Sequence, residues 1–195
     1  MKGMGNAQGG NNDSAGGEKN DAVAGAVDYD AYEKLCAEYD KKTTATQVYA
    51  EEAIRLHADG KLLVIDTRES YEHEYASIPN ARLLSPTSMG MTLVSTVGTG
   101  MGYKQEVPVE ELKAVPEDVT IICSCTAGLR SGYCAVDLSK RLERPVLNLH
   151  GGIISWFNAG GKVVNPKTNE AVDKIHTYGE SWSKFVKEGK GVFKL

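Results

Sequence analysis

The sequence predicts an α/β domain built on a mainly parallel sheet flanked by helices. Three observations predict it. Leu62-Leu63-Val64-Ile65 and the run around Ile121-Ile122 are short and apolar on both faces, as strands covered on both sides require. Stretches of helical period lie between such runs. A strand–helix–strand order over 118–149 predicts a right-handed parallel crossover.

Composition agrees with one domain. The chain has 195 residues, 41% hydrophobic and 25% charged, which is ordinary for a soluble globular protein. Net charge is -4, so no basic surplus exists to hold a phosphate backbone, and nucleic acid is excluded as a partner. No apolar run approaches the roughly 20 residues that span a bilayer, so no membrane partner is expected. Cys36, Cys123, Cys125 and Cys134 fit no zinc pattern, because Cys123-Ser124-Cys125 has one intervening residue rather than two. The motifs call for no metal and no cofactor. A reducing compartment suits a working thiol, and a cytoplasmic location is the expectation.

Each element has its own signal. Residues 1–27 hold seven glycines and four asparagines but no Leu, Ile or aromatic residue. They are expected to form a disordered N-terminal tail. Asp28–Asp40 reads as a helix, with Tyr32, Leu35, Cys36 and Tyr39 at i, i+3, i+4 and i+7. A second helix covers Ala50–Ala58 and is closed by Gly60. Lys61–Asp66 is a buried strand, residues 69–76 a short helix, and Arg82–Leu84 a brief strand. Residues 85–107, rich in Gly, Ser, Thr and Met, read as a long loop; its Met89, Met91 and Met101 suit a soft substrate lid or a disordered loop equally. Glu110–Ala114 gives one helical turn. Asp118–Cys125 is a strand, Leu129–Glu143 a helix, Arg144–Leu149 a strand, and a helix carrying Trp156 follows Gly151-Gly152. The tail holds one more helix, 179–187, with Trp182, Phe185 and Val186 on one stripe. The domain is therefore placed at 28–164 and a C-terminal helical extension at 165–195.

Chemistry concentrates at Cys125-Thr126-Ala127-Gly128-Leu129-Arg130-Ser131. This places a thiol at a strand end, in a small-residue loop, ahead of a helix. Inward-facing N–H groups and the positive end of the helix dipole favour thiolate there. Moving a thiol pKa from about 8.5 to about 6 raises the thiolate fraction roughly 30-fold at pH 7. Its nucleophilicity falls by roughly 13-fold over the same interval. The net gain is only about twofold, so stabilising the bound anions is the loop's larger task. Gly128 permits a conformation closed to other residues, and Arg130 supplies a fixed positive charge.

Three segments resemble the rhodanese family of sulfurtransferases. Leu63-Val64-Ile65-Asp66-Thr67-Arg68-Glu69 is similar to its strand ending in Asp-x-Arg. Cys125–Ser131 is similar to its Cys-x-x-Gly-x-Arg-Ser loop. Leu149-His150-Gly151-Gly152-Ile153, with Trp156 and Gly160-Gly161, is similar to its closing Gly-Gly-x3-Trp segment. One departure stands out. Where the family often has Gly-His-Ile-Pro-x-Ala, this chain has Ala76-Ser77-Ile78-Pro79-Asn80-Ala81, so Ser77 replaces His. The resemblance covers neither 1–42 nor 166–195.

The resemblance implies a rhodanese-like three-layer sandwich around a five-stranded sheet. It also implies a sulfurtransferase. Cys125 takes sulfane sulfur from a donor such as thiosulfate, becomes a persulfide, and passes the sulfur to cyanide or a thiol. A protein persulfide is a further candidate partner. Cys125 and Arg130 are the catalytic candidates. Thr126, Ala127, Gly128, Leu129, Ser131 and Arg68 are the substrate-binding candidates, and Asp66 supports the site. For Asp66 and Arg68 the structural alternative is an ion pair that fixes the loops. Cys36, Cys123, Cys134 and Trp156 read as core, His150 as structural, and His73, between Glu72 and Glu74, as a solvated surface residue. Two competing functions stay open. One is a non-catalytic binding or redox-sensing module. The other is a phosphatase or arsenate reductase, which needs five residues between Cys and Arg rather than the four found here, and a general acid that the loop lacks.

Overall fold

The computed structural model of the chain describes residues 27–84 and 109–194. The expectations for the N-terminal tail and for the Gly- and Met-rich stretch lie outside the described residues.

The elements in chain order are α1 (Tyr29–Thr43), β1 (Gln47–Val48), α2 (Ala50–Ala58), β2 (Leu62–Asp66), α3 (Ser70–Tyr75), β3 (Arg82–Leu83), α4 (Val109–Lys113), β4 (Thr120–Ser124), α5 (Leu129–Leu142), β5 (Val146–Leu149) and α6 (Gly152–Asn158). The tail adds β6 (Val163–Val164), β7 (Ala171–Val172), β8 (Ile175–His176), α7 (Glu180–Ser183) and β9 (Gly191–Val192). Sequence signals account for the main boundaries. Asp28 caps α1, its side chain accepting from Ala31 N–H at 2.9 Å. Gly60 follows α2 with φ +71°, where residues with a Cβ are strained.

Five strands form one sheet in the order β1-β5-β4-β2-β3, and every pairing in it is parallel. Alternation along the strands sends side chains to two cores. Val64 and Ile122 face one cluster with Tyr32 and Cys36 of α1, Ala53 of α2, and Ile153, Ile154 and Trp156 of α6. Ile65, Ile121 and Cys123 face the other, with Leu112 of α4 and Cys134, Ala135 and Leu138 of α5. The result is three layers, as the resemblance implies. β4, third of five, ends at the middle of the sheet's C-terminal edge, where parallel sheets carry their sites.

Two parts differ from the sequence reading. β1 is a two-residue edge strand held by its register on β5, Gln47 opposite Asn148 and Val48 opposite Leu149. Too short to show a period, it leaves no pattern in the sequence. The helix read over 179–187 is confined to α7, four residues, and a 3₁₀ turn over Lys187–Gly189 follows it. The apolar stripe is nonetheless used. Phe185 and Val186 are buried, as is Ile175, and the Phe185 ring lies 4.9 Å from that of Tyr32. Burial on the domain, rather than intrinsic helix propensity, fixes this segment.

Ser77 is buried and forms an isolated antiparallel bridge with Val164, with both backbone bonds at 2.9 Å. The turn after α3 is thus held through main-chain atoms, which Ser supplies as well as His.

Candidate active site

The loop after β4 is suspended between two helix starts. Cys125 is 2% exposed. Its Sγ accepts a hydrogen bond from Gly128 N–H at 3.2 Å and from the Ser131 hydroxyl at 3.3 Å. Gly128 has φ +97°, the left-handed region that favours glycine. Next comes the 14-residue α5, so its positive end lies at the loop. The loop's carbonyls face the other way. Cys125 O accepts from Ile153 N–H at 2.8 Å and Thr126 O from Ile154 N–H at 3.4 Å, both in the first turn of α6. Gly152 makes that approach possible. A Cβ there would stand 2.2 Å from Cys125 O. Asn148 braces the loop from the sheet, its amide donating to Gly128 O at 3.0 Å and to Gln47 Oε1 at 2.9 Å.

Arg130 leaves the first turn of α5 and meets a carboxylate that the sequence reading did not single out, Glu72. Arg130 Nη2 donates to Glu72 Oε2 at 3.1 Å and to the Thr126 hydroxyl at 3.2 Å. Glu72 is fully buried, and three more donors reach it. These are Glu69 N–H at 3.0 Å, the Thr126 hydroxyl at 3.1 Å and Tyr178 N–H at 3.4 Å. Such convergence lets a charge survive burial. One carboxylate therefore ties together the start of α3, the loop, α5 and the tail. The Tyr178 ring covers the guanidinium, with 5.4 Å from Arg130 Cζ to the ring centroid. The only local signal for Glu72 is the Glu69-x-x-Glu72 spacing of a capping box, which α3 does form.

Arg68, expected to bind substrate, is fully buried. It donates to Asp66 Oδ2 at 2.7 Å and to Ala76 O at 2.7 Å. This geometry is that of the ion pair, the alternative reading. Asp66 is equally committed, since His73 Nδ1 lies 2.9 Å from its Oδ2. Burial pushes the Asp66 carboxyl up, but Arg68 and His73 outweigh it and hold it well below the usual carboxylate range. The solvated-surface reading of His73 is corrected, because the residue is 8% exposed. Glu72 and His73 both face inward from a six-residue helix, too short for its period to reveal which face is covered.

The remaining candidates fall as follows. Thr126 and Ala127 are buried in the loop, with Ala127 in the same core cluster as Tyr32. Leu129 opens α5 and is half-buried. Cys123 and Cys134 lie in the core. Burial pushes the Cys123 thiol well up, with Cys134 adding to the effect. Burial also pushes Cys36 up to about 12. Such thiols are inert packing. His150 bridges Asp40, at 2.7 Å, and Glu33, at 3.0 Å, and Trp156 Nε1 donates to Lys162 O at 2.9 Å from within the core. Among the described residues, no group of three or more His, Cys, Asp or Glu is placed to hold a metal ion, and no helix is long and apolar enough to cross a membrane.

Comparison with known proteins gives the family. A family model of the rhodanese-like domain matches residues 49–159, more than half of the chain. The chain belongs to that family. It is 33% identical over 61 residues to a sulfurtransferase of Allochromatium vinosum, a match that covers 31% of this chain and 56% of the relative. The chain thus spans little more than half of that relative's length. Among solved structures, the fold is similar to a thiosulfate sulfurtransferase from Pseudomonas aeruginosa (TM-score 0.45, 19% identity, 72% of this chain and 24% of that one). It is similar also to a rhodanese-related protein from Thermoplasma volcanium (0.43, 22%, 62% and 98%). A third is a protein of unknown function from Rhodopseudomonas palustris, described as a possible tyrosine phosphatase (0.45, 22%, 67% and 91%).

Proposed function

We propose that the protein is a sulfurtransferase that carries sulfane sulfur on Cys125. The Cys125 thiolate attacks the outer sulfur of a donor such as thiosulfate. A new S–S bond forms, the donor's own bond to that sulfur breaks, and its electron pair leaves with sulfite. Cyanide or a thiolate then attacks the outer sulfur of the persulfide, and the electron pair returns to Cys125 Sγ. Neither step needs a proton donor or an external oxidant.

The observation that carries this reading is the pair of donors on one sulfur, Gly128 N–H at 3.2 Å and Ser131 O–H at 3.3 Å. Donors aimed at an anion before it forms require no reorganisation when it does. Arg130 stands beside this cradle for an anionic donor. Thr126 to Leu129 are four residues, which favours sulfur over the larger tetrahedral oxyanion of phosphatases. A non-catalytic module is the second reading, favoured by the engagement of Arg130 with Glu72.

Mass spectrometry after thiosulfate treatment tests the proposal. The wild-type protein is expected to gain about 32 Da at Cys125 and lose it to cyanide, since a thiolate becomes a persulfide. Cys125→Ser is expected to fold and gain nothing, while Cys123→Ala and Cys134→Ala keep the transfer. An unmodified wild-type protein would favour the binding module instead.

A further inference from the structure

The tail beyond the matched family region reaches the site, and its route is built rather than incidental. Ile175 and Thr177 are fully buried and His176 is 2% exposed. β8 pairs in parallel with β9, and Thr177 N–H donates to Val192 O at 2.7 Å. The His176 ring sits edge-on to Tyr71 and Tyr75 of α3, with centroids 5.2 Å and 6.1 Å away. α3 is the helix that carries Glu72. The next two residues along are Thr177 and Tyr178, whose amide donates to Glu72 and whose ring lies against Arg130. Tyr178 is nevertheless 60% exposed. A large aromatic ring at that exposure contributes little to the core. Its ring contacts the Arg130 guanidinium, and aromatic faces attract guanidinium groups by stacking and by the ring quadrupole.

We propose that Tyr178 is a positioning residue for Arg130, so that the tail is part of the active site. The inference rests on the sulfurtransferase reading. Glu72 holds one edge of the guanidinium through charge, and Tyr178 fixes the plane of the group. Arg130 is thereby presented to an anionic donor in one orientation instead of several.

The test compares wild type with Tyr178→Phe, Tyr178→Trp and Tyr178→Leu. The backbone bond to Glu72 is retained in all of them. Leu keeps bulk but has no π face. Thiosulfate:cyanide turnover is expected to show KM for thiosulfate raised roughly two- to fivefold in the Leu variant, the range of an exposed cation–π contact. kcat is expected to change less, and Phe and Trp are expected to match wild type. Unchanged melting temperatures exclude a folding effect. Reaction of Arg130 with phenylglyoxal, located by peptide mass spectrometry, is expected to rise in the Leu variant alone. A Leu variant with wild-type KM and wild-type Arg130 reactivity overturns the inference. So does a Phe variant as impaired as Leu. A wild-type protein that transfers no sulfur overturns the functional reading instead, and the phenylglyoxal comparison then still decides whether Tyr178 holds Arg130.

Discussion

Glu72 and Arg130 meet across 58 residues of sequence, Oε2 to Nη2 at 3.1 Å. Glu72 has no exposed side-chain surface and Arg130 keeps 19%. The loop's cation is therefore anchored by a buried carboxylate while part of its side chain stays exposed. Its charge is partly balanced before any donor arrives.

Removing that balance has two separable effects. Glu72→Gln keeps acceptors for Thr126 and Tyr178 but deletes the negative charge. Thiosulfate is expected to bind more tightly, lowering KM, because an anion no longer competes with a carboxylate. Glu72→Ala removes the acceptors as well. It is expected to cost about 3 kcal/mol or more, since breaking a buried pair leaves the partners unmet. Steady-state kinetics and urea midpoints check both; a Gln variant with raised KM would show that the hold of Glu72 on Arg130 outweighs its competition with the donor.

Glycines at positive φ separate strain from collision. Gly160→Ala at φ +90° meets open space and is expected to cost only left-handed strain, about 1–2 kcal/mol. Gly152→Ala at φ +57° drives a Cβ into Cys125 O. Overpacking adds about 1–3 kcal/mol to the strain. Sulfur transfer is expected to fail in the second variant and survive in the first. Equal stability and equal activity in the two would show that α6 does not hold the loop.

His150 gives a pH dependence on the alkaline side. Burial pushes its pKa down, but hydrogen bonds with Glu33 and Asp40 outweigh that, and the net direction is up. A raised folded pKa contributes stability that is fully present below the unfolded value of about 6.5. That contribution is lost as pH rises through the folded value. The urea midpoint of wild type minus that of His150→Gln is expected to shrink across this window. A difference that stays constant from pH 6 to pH 9 would mean that folding leaves the imidazole pKa where it is in the unfolded chain.

Phe185→Ala tests the docking of the tail. Deleting a buried aromatic side chain costs about 3–5 kcal/mol, which in a domain of this size lowers the melting temperature by roughly 10 °C. An unchanged melting temperature would mean that the tail does not hold the fold.

Legibility in the sequence followed the range of the forces involved. β2, β4 and α5 were readable because two-sided burial and helical period are written in consecutive residues. Cys125, Gly128, Arg130 and Ser131 were readable because one loop contains them. Asp66–Arg68 was readable as a pair but not as fully buried, since burial depends on Ala76 and His73 folding over it. Glu72 was missed because its partners lie at Thr126, Arg130 and Tyr178, with no local mark beyond a capping box. In the tail, Trp182, Phe185 and Val186 gave a true apolar stripe but a false helix length, because β8 and β9 compete for the flanking backbone.

All four cysteines are free and buried, from 0% exposed at Cys36 and Cys123 to 7% at Cys134. The chain thus carries its own clock of opening. A thiol reagent in excess over native protein reads each position by the smallest fluctuation that uncovers it. Cys125 sits in a loop held by a few hydrogen bonds and is expected to label first, by local opening. Cys36 and Cys123 lie on opposite faces of the sheet and report only when their own layers part. The order in which the four thiols react maps how the molecule comes undone, with no probe added to it.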